Sequence, residues 1–215
     1  MIPFISRNIL KEHESCRKTI TESSGEVYGT SLFNYNIELG KGILEISQTI
    51  GKIPECVNLQ LVETLSNVLV ESNEIFIQIN LLDFFWKIIQ VLEEVIKNTP
   101  AVNCVMVVIE KFLNPKKTHG SGILNIGKVI VTYLSSFAES PVEEFIAMVP
   151  MILERLHIVK SSDIEEALLY PFLHMCLEHL EETLKSMEDR TLQIFVDKMV
   201  NYIESGTFSN IKAKN

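Results

Sequence analysis

Apolar residues along this chain recur at helical spacing and rarely alternate with polar ones. Glycine is scarce, and proline occurs at nearly regular distances: Pro54, Pro100 and Pro141 are separated by 46 and 41 residues. A period of this size calls for a test for internal repeats before any local assignment. Counting back 15, 11, 8 and 4 residues from each proline reaches an apolar or aromatic residue every time.

The 4-3-4 spacing of these positions traces one face of an α-helix, because a helix turns once every 3.6 residues. A fourth copy of the frame fits if Glu188 stands where proline would be, and counting forward by 7 and 8 residues reaches apolar pairs as well. The backward positions are Leu39, Ile43, Ile46 and Ile50; Phe85, Ile89, Leu92 and Ile96; Ile126, Ile130, Tyr133 and Phe137; and Leu173, Leu177, Leu180 and Leu184. The forward pairs are Leu61-Val62, Val107-Val108, Met148-Val149 and Phe195-Val196.

The frame predicts a helix, a short turn and a second helix, repeated about four times. Proline suits the start of a helix, where its missing N–H would have no partner. One helical hairpin cannot bury its apolar stripe alone, so neighbouring repeats must stack. We therefore predict an all-α fold, a right-handed stack of antiparallel helix pairs over residues 31–206. Residues 1–30 are predicted to form an N-terminal helix and a polar loop, and residues 207–215 a flexible tail.

A period of 40–47 residues, two helices per repeat and proline near helix starts resemble the HEAT/armadillo superfamily of helical repeats. The resemblance covers roughly Leu39 to Ile203. It implies an α-solenoid that binds other proteins along a curved surface and carries out no catalysis. The acidic charge and irregular repeat lengths are similar to those of nuclear transport receptors of the importin-β type, and also suit other scaffolds and adaptors.

Charge and hydropathy narrow the classes of partner. The 215 residues carry a formal net charge of −9 and lack clusters of Lys and Arg. Nucleic acid is therefore not expected as the main partner, because contacts to phosphates need a basic footprint. No uncharged run approaches the ~18–20 residues that span a bilayer. Four scattered cysteines and no signal-peptide pattern indicate an intracellular chain, in the cytoplasm or the nucleus.

One stretch matches the core of a phosphate-binding loop, G-x-x-x-x-G-K, from Gly122 to Lys128. Such a loop needs a buried strand before it and Ser or Thr after the lysine. Here a polar segment precedes it and Val129 follows it, and Ile126 already belongs to the apolar helical frame. The sequence therefore predicts a loop and a helix start here, and no nucleotide site.

The remaining chemistry-bearing residues form no recognisable site. His13 and Cys16 lie three residues apart, and His174 and His179 flank Cys176. Neither group has a second ligand pair at the spacing that zinc requires. We predict no metal, no cofactor and no catalytic residue. An all-α enzyme or small-molecule carrier with a site between helices remains the alternative.

The run Phe84-Phe85-Trp86 contains the only tryptophan. Phe85 lies on the predicted core face, whereas Phe84 and Trp86 point elsewhere. A helix that is apolar nearly all round is either central in the stack or part of an interface. Both interpretations stay open: a core position, or a partner groove in which Trp86 and Phe84 bind a helix or an extended peptide.

Four glutamates supply a second candidate surface. They lie in the first turns of predicted helices, where negative charge interacts favourably with the helix dipole. They are therefore either solvated residues that stabilise their helices or an acidic surface that attracts a basic segment of a partner. These residues are Glu143, Glu144, Glu165 and Glu166.

Overall fold

A computed structural model describes residues 37–204, except 47, 50, 51, 56 and 119. The described residues contain helices and no β-strand, which confirms the predicted all-α class. The predicted N-terminal helix and loop (1–30) and the predicted tail (207–215) lie outside them. The helices, numbered along the described chain, are α1 (residues 37–46), α2 (Leu59–Glu71), α3 (Ile75–Val91), α4 (Glu93–Ile96), α5 (Ala101–Leu113), a 3₁₀ turn (Gly120–Ile123), α6 (Ile126–Ser136), α7 (Pro141–Ile158), α8 (Ser162–Glu178), α9 (Leu180–Ser186) and α10 (Asp189–Glu204).

The helices arrange themselves in two sets that share a core. In the first set α2 contacts α5, and α5 contacts α7. In the second set α3 contacts α6, and α6 contacts α8. The pairs α2–α3, α5–α6 and α7–α8 join the two sets. Each of these helices therefore packs both on its neighbour in the chain and on helices of its own set.

Side-chain contacts show that helices within one set run parallel. Gln78, near the start of α3, lies beside Gly122, which comes just before α6. Further along both helices, Trp86 of α3 contacts Thr132 of α6. Because the contacts advance together, the two helices point the same way. In the first set the Ser66 hydroxyl donates to the Cys104 carbonyl, and further along Lys111 reaches the end of α2.

Helix α1 extends the second set by contacting α3. Lys41 forms an ion pair with Asp83 (2.8 Å), and Lys87 forms one with Glu45 (3.3 Å). Gly40 lies so close to the Phe84 ring that an added Cβ would come within 2.8 Å of it. Here too the contacts advance along both helices, so α1 runs parallel to α3.

A glycine and a proline together allow α6 and α8 to approach closely. Pro171 lies inside α8 and has no N–H to donate to the carbonyl of Ala167, four residues earlier. Gly127 of α6 packs against that same carbonyl, because a Cβ on Gly127 would lie 2.0 Å from its oxygen. Neither Pro150 nor Pro171 ends its helix, and of the two only Pro171 is buried.

Two buried cations join successive helices of the first set at equivalent places. Lys111 Nζ, near the end of α5, donates to the carbonyls of Leu69, Val70 and Ser72 at the end of α2, at 2.9, 2.6 and 2.5 Å. These carbonyls form the negative end of the α2 dipole and have no partner within the helix, so a buried cation is favourable there. Burial lowers the pKa of Lys111, and the charge of Lys117 lowers it further.

Arg155 repeats this arrangement one helix later. Its guanidinium, near the end of α7, donates to the carbonyls at the end of α5, at 2.7–3.0 Å. Arg155 and Lys111 are both buried. The carbonyls belong to Phe112, Leu113 and Asn114. Two residues 44 positions apart in the sequence therefore have the same role.

The backward positions of the apolar frame are buried in the middle of the chain, and the frame fails at both ends. In the second copy these positions cross the end of α3 at Leu92 rather than lying on one helix, and Val107 of the forward pair is exposed. All eight backward positions of the second and third copies, from Phe85 to Ile96 and from Ile126 to Phe137, are buried. In the first copy Leu39 and Ile46 are exposed. In the fourth copy the prediction of one helical face is wrong, because the chain leaves the helix at His179 (φ −137°, ψ 46°). Leu177, Leu180 and Leu184 are consequently exposed rather than buried.

The last helix also departs from the parallel order. Phe172 of α8 stacks on Phe195 of α10, with ring centroids 4.5 Å apart. Earlier in α8, Glu165 binds Lys198, which lies later in α10. The contacts run in opposite directions along the two helices, so α10 lies antiparallel to α8.

Candidate protein-binding surface

Three parallel helices, α3, α6 and α8, share a partly exposed surface with aromatic and polar side chains. We call it the Trp86 surface. It consists of Trp86, Lys128, Ser135, Tyr170 and His174, and the buried Thr132 lies on the same face of α6. On α6, Lys128, Thr132 and Ser135 have i, i+4, i+7 spacing and therefore lie on one helix face. Tyr170 and His174 are four residues apart on α8 and share a face in the same way.

Trp86 is held at the junction between α3 and α6. Its indole N–H donates to the Thr132 hydroxyl at 3.1 Å, and Lys128 Nζ lies 4.6 Å from the ring centroid. The second distance is within the range of a cation–π interaction. Trp86 is half-buried, so part of the ring fills the junction and part faces outward. This combination of fixed ring and exposed edge suits a residue that anchors a partner.

Ser135 and His174 connect α6 to α8 on the same surface. Ser135 Oγ lies 2.9 Å from His174 Nε2 and donates its own proton to the carbonyl of Val131 at 2.8 Å. With the Ser135 proton directed to the Val131 carbonyl, this contact requires the His174 tautomer that carries its proton on Nε2. Burial lowers the pKa of His174, against the raising effect of Glu178.

Phe84 does not belong to this surface. The sequence pairs it with Trp86 as a candidate contact residue, but its side chain is 2% exposed and faces Gly40 of α1. The second set of helices covers α3 on both sides, so two of its faces are buried. Phe85 is fully buried, as predicted, and Trp86 is the aromatic residue of this run that reaches the surface.

Three of the four candidate glutamates make contacts within the chain. The Tyr133 hydroxyl donates to Glu144, whose other oxygen accepts from the backbone N–H groups of Glu139 and Ser140. Glu144, the fourth residue of α7, therefore caps the start of this helix. In a capping box the glutamate at the third helical position has the same role. Burial and the carboxylate of Glu144 raise the pKa of Tyr133 well above its usual value.

Glu165 and Glu166 connect α8 to α10. Glu165 binds Lys198 Nζ at 2.5 Å, and Glu166 accepts from the Tyr202 hydroxyl at 2.5 Å. Glu143 is exposed, and the described residues show no side-chain partner for it. Of the four, Glu143 is thus the residue whose carboxylate is open to another molecule.

The segment that matches a phosphate-binding loop is explained by packing. Gly122 lies in the 3₁₀ turn, and a Cβ there would come within 2.3 Å of the buried Gln78 side chain. Gly127 lies in α6 against α8, as described above. Ile123 and Ile126 are fully buried. These residues occupy a turn and a helix start, as predicted from the sequence.

Other kinds of site find little support in the described part of the chain. A partly open cleft lies between α1, α2 and α3, and its lining is apolar, with Ile43, Leu44 and Leu61 among the residues. It thus lacks the convergent polar groups that orient a ligand. Within residues 37–204, no group of three or more His, Cys, Asp or Glu side chains is placed to hold a metal. No helix there is long and apolar enough to cross a bilayer.

The cysteines described are half-buried thiols. Cys104 and Cys176 are unpaired, and burial raises the pKa of each. A raised pKa disfavours the thiolate, which is the reactive form. Cys16, Cys56 and the His13–Cys16 pair lie outside the described residues.

Lys128, Ser135 and Tyr170 were not identified as surface residues from the sequence. On α6, Lys128 and Ser135 lie seven residues apart, and this spacing is a usable signal, because the apolar frame of α6 assigns Ile126, Ile130 and Tyr133 to the opposite side. The contact of this face with α3 and α8 could not be read from spacing alone.

Comparison of the chain with protein-family models, curated proteins and solved structures gave no significant match.

Proposed function

We propose that this chain is a HEAT/armadillo-like helical-repeat scaffold that binds a segment of a partner protein across the Trp86 surface. The observation that carries the proposal is the parallel packing of α3, α6 and α8, which presents one joined outer surface with Trp86, Lys128 and Tyr170. Repeat proteins use extended surfaces of this kind for recognition.

The equivalent roles of Lys111 and Arg155 support a repeat architecture. Each closes the end of the preceding helix in the first set, and the two are 44 residues apart. This distance agrees with the period found in the apolar frame. In this proposal the pairs α2–α3, α5–α6 and α7–α8 are three repeats of a right-handed stack, and α1 is the second helix of an earlier one.

The chemistry of the surface points to a protein segment as the partner. Aromatic rings and a lysine beside Trp86 favour an extended peptide or a helix with apolar anchors. The net charge of −9 opposes nucleic acid as the main partner. In this proposal the chain acts inside the cell, in the cytoplasm or the nucleus, as an adaptor or a subunit of a larger complex such as a nuclear transport receptor. Reduced Cys104 and Cys176 are consistent with that environment.

Affinity capture of the tagged chain from source-cell extract tests the proposal. Tyr170→Ser changes an exposed residue of the Trp86 surface, and Val107→Ser changes a residue of similar exposure on α5. We expect a stoichiometric partner that is lost with Tyr170→Ser and retained with Val107→Ser. Retention with both variants, or a chain that returns alone and monodisperse, would contradict the proposal.

The acidic surface is a second candidate and needs a different variant. Charge reversal at Glu144, Glu165 or Glu166 would break contacts within the chain, so a loss of binding could not be interpreted. Glu143→Lys leaves those contacts intact. Salt at about 0.5 M shortens the Debye length to about 4 Å and so screens surface charges. A partner that is released by this salt and by Glu143→Lys, but not by Tyr170→Ser, would favour the acidic surface.

A small-molecule carrier or an enzyme remains the alternative class of function. The apolar cleft between α1, α2 and α3 would be its site, and it would have to widen to admit a small apolar molecule. Binding of small apolar ligands can be measured by thermal shift on the purified chain. A reproducible rise in Tm that Leu61→Phe abolishes, together with no protein partner, would favour this alternative.

A further inference from the structure

The face of the Trp86 ring is in contact with a cation that belongs to this chain. Lys128 Nζ lies 4.6 Å from the ring centroid, and the indole N–H donates to the Thr132 hydroxyl on the same helix as the lysine. An ammonium or guanidinium group over the face of a tryptophan is attracted by the negative face of the ring. Lys128 thus shows which kind of group this ring accepts.

Trp86 and Lys128 differ in how firmly they are held. The indole is fixed by its hydrogen bond to the buried Thr132, whereas Lys128 is half-buried and its ammonium ends a flexible four-carbon chain. Lys128 is also the third residue of α6, at the positive end of the helix dipole, where a cation is unfavourable. A second cation can therefore replace the ammonium of Lys128 while the ring stays in place.

The charges along α8 favour a partner with positive charge. Glu166 lies four residues before Tyr170, and Glu178 lies four residues after His174. Glu178 is exposed and close enough to His174 to act on its pKa, in the direction opposite to burial. The whole chain carries a formal net charge of −9. A basic segment is therefore attracted to this side of the molecule, whereas an acidic segment is repelled.

We propose that Lys128 is an internal competitor at the Trp86 ring, and that an arginine or lysine side chain of the partner displaces it. The role of Lys128 rests on the proposed protein-binding function of the Trp86 surface and specifies its partner as a basic segment. Arginine suits the ring best, because its planar guanidinium stacks on aromatic faces. Until it is displaced, Lys128 occupies the ring and lowers the affinity of the surface for such a segment.

The fluorescence of Trp86 reports on this ring directly, because it is the only tryptophan of the chain. The probe is an acetylated and amidated peptide of sequence GLRGLRGL, and its neutral and acidic counterparts are GLQGLQGL and GLEGLEGL. Titration of the full chain with each peptide gives the Kd from the change in fluorescence. We expect the arginine peptide to bind at millimolar concentrations or below, and more tightly than either counterpart.

Lys128→Gln removes the competing ammonium. It should lower the Kd of the arginine peptide roughly two- to fivefold, the range that corresponds to an exposed cation–π contact. Lys128→Arg keeps a cation on the ring and should not lower the Kd. Lys116→Gln removes the same charge from the exposed loop after α5 and should leave the Kd unchanged. In a Trp86→Leu chain, followed by calorimetry, Lys128→Gln should have no effect on the Kd.

The sign of the effect of Lys128→Gln decides the outcome. A higher Kd for the arginine peptide, or preference of the wild-type chain for the acidic peptide, would show that Lys128 itself binds the partner and would overturn the competitor role. An unchanged Kd, or no binding of the arginine peptide to either chain, would overturn it as well. If affinity capture still yields a partner that is lost with Tyr170→Ser, the protein-binding role stands and the competitor role alone fails.

Discussion

Replacement of Gly127 by alanine tests whether the close approach of α6 and α8 holds the second set of helices together. The added Cβ would lie 2.0 Å from the carbonyl oxygen of Ala167 and 3.0 Å from its carbonyl carbon. Both atoms belong to the backbone and cannot move aside as a flexible side chain would. The helices must therefore separate or shift, and the surrounding buried side chains lose contact.

Two opposing effects set how much Gly127→Ala changes the free energy of unfolding. Alanine favours a helix over glycine by about 1 kcal/mol, which stabilises the folded state. Forcing an extra methyl group into a packed contact costs typically about 1–3 kcal/mol, and more where backbone has to move. We expect the second effect to win, with a net loss of about 1–2 kcal/mol. With a urea m-value near 3 kcal/mol per M, the midpoint falls by roughly 0.3–0.7 M.

Gly42 provides a matched control within the same protein. It is also a helical glycine, in α1, but a Cβ there would meet no atom within 4 Å. Gly42→Ala should therefore leave the urea midpoint unchanged or raise it, by up to about 1 kcal/mol in free energy of unfolding. Equal effects of Gly127→Ala and Gly42→Ala would refute the packing argument, because helix propensity alone would then account for both.

Three further predictions concern buried and hydrogen-bonded groups. Lys111→Met and Arg155→Met should each lower the free energy of unfolding by about 1–3 kcal/mol in urea denaturation, because each leaves buried carbonyls without a donor; effects below 0.5 kcal/mol would show that water replaces the cation. Tyr133 has a raised pKa, so its contribution to the free energy of unfolding is complete below pH 10 and is lost as the pH rises beyond that value. Tyr133→Phe should therefore flatten the fall in stability at alkaline pH. His174 has a lowered pKa, so its contribution to the free energy of unfolding is complete above pH 6.5 and is lost as the pH falls below that value. His174→Gln should weaken the acid-side slope of stability, and an unchanged slope would contradict the role given to its burial.

The middle of the fold could be predicted from the sequence because its helices are covered on their expected faces. Phe85, Ile89, Ile126 and Ile130 follow the 4-3-4 frame, and each has a neighbouring helix above it. Such a frame records which residues are apolar but not whether a neighbouring helix exists. At the C-terminal end Leu177 has the spacing of the frame, but no helix packs over it and it is exposed. The frame therefore predicts burial wrongly there.

The candidate glutamates show a second limit of sequence reasoning. Helix position correctly indicates that Glu144 supports its own helix, but its contact with Tyr133 depends on how α6 meets α7. The partners of Glu165 and Glu166 lie 33 and 36 residues further on, in α10. Contacts of this length are set by the packing of whole helices, so local patterns carry no record of them. Lys111 and Arg155 resemble ordinary surface residues in the sequence for the same reason.

The positions of Lys111 and Arg155 have a mechanical consequence. Both cations connect the C-terminal ends of helices in the first set, and Gln78 and Gly127 make their close contacts near that edge as well. At the opposite edge α3 is joined to α5 through the short α4, and α8 to α10 through α9. If contact with another molecule changes the angle between these helices, we expect the ends joined by the cations to move least. The distance between α3 and α6 would then change most at their opposite ends, beyond Trp86.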